Sequence, residues 1–96
     1  MLERDVEAYL VKRAKALGGV VRKVKWLGRT GAPDRLVLLP GNSRALWVEL
    51  KRPGGKADMH QLREHEVMRT LGQSVTVLDS IEAIDEWLSV ERAQPA

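Results

Sequence analysis

The stretch LWVELKRPGG, residues 46–55, runs apolar and then ends in two charges. Read as a β-strand, it sends Leu46, Val48 and Leu50 to one face and Glu49 and Lys51 together to the other. Packing alone gives no reason to set a carboxylate beside an ammonium where a core strand finishes.

The flanking sequence supplies a partner. RLVLL at 35–39 is a short apolar strand, PGNS at 40–43 is a turn, and RALWVELK at 44–51 returns as the next strand. With a four-residue turn Leu39 faces Arg44, and counting back along the hairpin sets Asp34 opposite Glu49. Opposed β-carbons lie roughly 5 Å apart, where like charges repel. Two carboxylates so placed call for a cation, and a hard divalent ion such as Mg²⁺ is bound by one or two carboxylates plus water. A one-residue slip in register would dissolve the pair, and Asp34 could instead cap the turn after Pro33. Lys51 would stand beside whatever the ion binds. Attack on a phosphodiester builds negative charge, which a metal and an ammonium both stabilise. A plain Glu49–Lys51 surface pair, worth little, is the competing explanation.

Working outward, Leu2, Val6, Tyr9, Leu10, Ala14 and Leu17 recur at helical spacing, and Gly18-Gly19 ends that helix. Val20 to Trp26 alternates apolar with basic residues and reads as a half-exposed strand; GRTGAPD at 28–34 is a loop. A helix from Asp58, its N-cap, to Leu71 follows RPGGKA and stops at Gly72. SVTVL at 74–78 is a strand, and DSIEAIDEWLSV is a helix with Asp79 and Glu82 as a capping box. The order is α-β-β-β-α-β-α: a three-stranded meander and one crossover strand in a mixed sheet flanked by helices. Residues 1–90 form one domain and 91–96 a frayed tail.

The totals agree with a single small domain: 96 residues, 44% hydrophobic and 30% charged. The absence of cysteine excludes disulfides and thiolate metal sites and suits a reducing compartment. With no apolar stretch of membrane-spanning length and an acidic N-terminus, the expectation is a cytoplasmic protein. Residues 1–70 carry fifteen Lys/Arg against eight Asp/Glu, or +7, while 71–96 carry one against five, or −4, together the net +3. A basic body with an acidic end suits a polyanionic partner.

PD at 33–34, ELK at 49–51 and this element order resemble the PD-(D/E)XK nuclease superfamily. GAPDRLVLLP, WVELKRPG, Gln61 and the LG before the last strand are more closely similar to the VRR-NUC family in its stand-alone form, found in phages. The resemblance runs from Leu2 to Leu88. It implies a Mg²⁺- or Mn²⁺-dependent endonuclease with a restriction-endonuclease-like α/β core, in phage-encoded or bacterial cytoplasmic form. Asp34 and Glu49 would be metal ligands, with the Leu50 carbonyl a third. Lys51 would position the attacking water, and Gln61 would support the site. The substrate implied is branched DNA, four-way junctions above all, cut by a homodimer in Holliday-junction resolution. A non-catalytic nucleic-acid-binding module on the same fold is the alternative.

Such sites are completed by an acidic residue of the first helix, Glu3 or Glu7. On a helical wheel Glu3 falls inside the apolar sector, between Leu10 and Ala14, and Glu7 just outside, so Glu3 is preferred. Arg13 shares that sector. Arg22, Lys23, Lys25, Arg29, Arg35 and Lys56 would meet the phosphate backbone without reading sequence. His60 and His65, five apart, do not form a histidine metal pair. The three tryptophans are core or interface residues, with Trp87 a hint of a dimer surface.

Overall fold

The computed structural model describes residues 1–92; the expected tail residues 93–96 lie outside the described residues. The elements are α1 (Glu3–Ala16), β1 (Val20–Lys23), β2 (Arg35–Leu38), β3 (Leu46–Leu50), α2 (Met59–Thr70), β4 (Ser74–Leu78) and α3 (Ile81–Arg92). The sheet order is β1-β2-β3-β4; the first two pairings are antiparallel and β3 pairs with β4 in parallel, across the α2 crossover. The expected meander and crossover strand both form. The strands are shorter at their ends than the apolar runs suggested, because β1 stops at Lys23 and β3 starts at Leu46.

The hairpin register is the one the four-residue turn requires. Arg35 pairs with Val48, Leu36 with Trp47 and Val37 with Leu46. Alternation then divides the sheet into two faces. Val37, Leu46, Val48, Leu50 and Leu78 point to one side, where Val6, Leu10 and Ala14 of α1 and Ile84, Trp87 and Leu88 of α3 close over them as the main core. Trp47 and Glu49 point to the other side with Val75, towards α2, whose buried residues are His65 and Met68.

Several side chains depart from expectation. Trp87 is 8% exposed and belongs to the core, so it marks no interface; the exposed large apolar residues include Met59, Leu62, Val67 and Leu71, on α2 and just after it. Arg13 lies in the apolar sector of α1 because it reaches across to α3, where its Nε is 3.3 Å from Asp85. Ser80, not Asp79, caps α3: its hydroxyl accepts the Ala83 N–H at 3.0 Å. That helix extends through Glu91 and Arg92, and Glu91 is buried against Arg44 at 2.9 Å. Asp58 does cap α2, accepting the Gln61 N–H at 2.9 Å while Gln61 Oε1 accepts the Asp58 N–H.

Candidate active site

The site begins with the loop that delivers Asp34. Gly31 holds φ at +84°, and a β-carbon there would stand 2.6 Å from the His60 carbonyl oxygen, so only glycine lets the loop lie against the start of α2. Trp26 donates its indole N–H to the Pro33 carbonyl at 2.8 Å and packs on Trp47 with ring centroids 5.3 Å apart. Pro33 is fully buried. These contacts fix the chain just before β2. The Asp34 carbonyl is tied in turn by the Val24 N–H at 2.9 Å.

One step beyond the last paired residues, the β2–β3 register sets Asp34 opposite Glu49. The two carboxylates differ in surroundings: the Asp34 side chain is 54% exposed, whereas Glu49 is buried. Burial pushes the Glu49 carboxyl up to about 7, and the charge of Asp34 pushes in the same direction; Lys51 opposes them, while Glu3 adds a smaller upward push. Lys51 is half-buried and makes no ion pair among the described residues, so the simple Glu49–Lys51 pair is not formed.

The Leu50 carbonyl has a similar history. The Lys51 N–H points to β4, where it donates to the Leu78 carbonyl at 3.0 Å. Backbone polar groups alternate along a strand, so the Leu50 carbonyl points to β2. The same register brings Pro33 opposite it, and proline has no N–H to give. Two carboxylates and a carbonyl, all hard oxygen donors where Asp34 meets the end of β3, suit Mg²⁺ or Mn²⁺. Among the described residues no three His, Asp or Glu side chains converge into a closed cage.

The two glutamates of α1 separate. Glu7 is held by Arg35, whose guanidinium also lies 2.8 Å from Asp34. Glu3 is exposed and reaches Glu49 only as a nearby charge. Arg35 is 12% exposed and braces α1 to the site, which corrects its expected role against a DNA backbone. Arg22, Lys23, Lys25 and Lys56 are exposed, as is Arg29, 3.6 Å from Glu64. Gln61 spends its side-chain oxygen on the Asp58 cap and has its Nε2 left to offer.

His65 was not legible as a site residue. It is fully buried on α2 with Nε2 3.8 Å from Glu49 Oε1. The available signal was its spacing with Gln61 and Met68, which places the three on one helix face.

No protein-family model matches the sequence. A protein of Acyrthosiphon pisum secondary endosymbiont phage 1, named "Putative nuclease p44", is 46% identical over 78 residues, spanning 81% of this chain and 83% of that protein. A solved structure described as a VRR_NUC domain superposes with a TM-score of 0.81 at 44% identity, covering 91% of this chain and 94% of the other.

Proposed function

This chain belongs to the VRR-NUC family of the PD-(D/E)XK superfamily, and on that premise we propose that it is a divalent-metal-dependent endonuclease acting on branched DNA. The observation that carries the reading is geometric: the hairpin register sets the buried Glu49 carboxylate opposite Asp34, and both burial and that neighbour raise its pKa. An arrangement that works against its own ionisation is costly in an empty protein and makes sense as half of a cation site.

Asp34, Glu49 and the Leu50 carbonyl would hold Mg²⁺ or Mn²⁺, with Glu3 adding negative charge at the rim. The ion, when bound, supplies Lewis-acid stabilisation of phosphoryl charge and a more acidic water. Lys51, unpaired among the described residues and on the same strand face, positions the attacking water and offsets the charge that grows on the phosphoryl oxygens. Arg35 keeps the Asp34 end of the site in place through Glu7. The exposed cations of β1 and the loop after it, Arg22, Lys23, Lys25 and Arg29, with Lys56 of the β3–α2 loop, meet phosphates on either side of the cut. We further propose a two-fold homodimer cutting four-way junctions, because one small domain offers one such site and a two-fold dimer matches opposed strands at a junction.

The test is cleavage of end-labelled four-way junction, flap and linear duplex, with Mg²⁺ or with chelator, beside light scattering. Junction cleavage by a dimer in Mg²⁺ alone, lost in Glu49→Ala, is expected. Undiminished cleavage by Glu49→Ala would remove the site assignment. A monomer cutting all three substrates equally would leave a nuclease without structure preference.

A further inference from the structure

On the reading that Asp34 and Glu49 hold a divalent ion, one buried polar side chain still has no task. His65 has no exposed surface, and neither of its ring nitrogens has a hydrogen-bond partner among the described residues. Leaving a buried donor or acceptor unmade costs roughly 1–3 kcal/mol, so orphaned groups of this kind are rare and call for an explanation. A leucine at this position of α2 would carry no such penalty. The imidazole is also aimed: Nε2 lies 3.8 Å from Glu49 Oε1, just beyond hydrogen-bond reach, at the carboxylate already assigned to the ion.

The surroundings define what this ring can offer. A neutral imidazole carries one N–H and one acceptor nitrogen, and the nitrogen facing Glu49 is Nε2. A neutral donor can fix a carboxylate without adding a positive charge that would repel a cation. Carboxylates that ligate metals are themselves hydrogen-bonded by outer groups, which set their orientation. The helix that carries His65 is well anchored for such a task. Its start is locked by the Asp58–Gln61 capping box and pressed against Gly31 of the Asp34 loop.

We propose that His65 is a positioning residue for the metal site, its Nε2–H donating to Glu49 Oε1 and leaving Oε2 to the ion. Bringing the 3.8 Å separation to hydrogen-bond length takes a shift of roughly 1 Å. His65 then acts on the ion through Glu49 and does not touch the substrate.

The experiment is calorimetric titration of the full chain with Mn²⁺, without DNA, for the wild type, His65→Leu, His65→Gln and His65→Asn. Glutamine can place an amide N–H where the imidazole Nε2–H lies, whereas asparagine is polar but too short. The proposal expects Mn²⁺ affinity to fall by about 10- to 100-fold in His65→Leu and His65→Asn and to stay within a few-fold of wild type in His65→Gln. The glutamine–asparagine contrast decides the matter even where the leucine variant does not fold. Equal affinity in all variants, or equal loss in the glutamine and asparagine variants, overturns the role of His65 while the metal site stands. A wild-type protein that binds no Mn²⁺ overturns the metal site itself, and the proposal with it.

Discussion

Replacing Glu49 with glutamine should make the metal-free protein more stable, and only above a defined pH. The Glu49 carboxyl sits at about 7 in the folded chain against an ordinary 4.5. Between those values the folded state holds more protons than the unfolded state, so stability falls as pH rises through the window and is lost in full above about 7. That difference corresponds to an upper value of roughly 3 kcal/mol, which glutamine, never ionising, would recover. For a domain this size that is on the order of 10–20 °C in Tm. The assay is urea unfolding of both proteins in chelator at pH 4, 5, 6, 7 and 8. The difference between them should be near zero at pH 4 and grow to its plateau by pH 8, because the other carboxylates titrate alike in both and cancel. Adding Mg²⁺ should raise the wild type and leave Glu49→Gln unmoved. Parallel pH profiles in chelator would show that Glu49 ionises freely and that no repulsion is stored between it and Asp34.

Three further outcomes follow from other parts of the site. Lys51→Ala should bind Mn²⁺ within a few-fold of wild type yet cleave at least about 100-fold more slowly, since the ammonium acts on the transition state; calorimetry beside single-turnover cleavage separates the two. Junction binding in Ca²⁺ should weaken steeply with salt and vary little with sequence, as the exposed cations of β1 and its loops require; a salt-independent binding curve would contradict it. Gly31→Val should cost about 2 kcal/mol or more in urea unfolding, because a branched side chain at φ +84° is strained and would meet the His60 carbonyl.

The elements and the hairpin register were legible because both follow from local rules. Alternation fixes which face Glu49 and Lys51 share, and the turn at Pro40–Ser43 fixes which residues of β2 oppose β3. Helix starts were readable at Asp58, where Gln61 completes the cap, but not at α3, where two capping residues stand side by side and Ser80 is the one used. What the sequence did not disclose depends on contacts between elements distant along the chain. His65 meets Glu49 only because α2 folds back over the sheet, and Arg35 is drawn in from the exposed surface by Glu7, twenty-eight residues away. Trp87 on an acidic helix looked available to a partner, yet it is buried in the core cluster with Ile84 and Leu88. Glu3 lay inside the apolar sector of the wheel, yet it is exposed while Val6, three residues on, is fully buried, a difference the wheel cannot show.

The central claim, that Asp34 and Glu49 share one divalent ion, is tested most directly by anomalous diffraction from a crystal soaked in Mn²⁺. The account predicts an anomalous peak between the two carboxylates, with an oxygen of each and the Leu50 carbonyl within roughly 2 Å of the same metal position. A map with no peak there, and with the Lys51 ammonium bridging Asp34 and Glu49 instead, would contradict it.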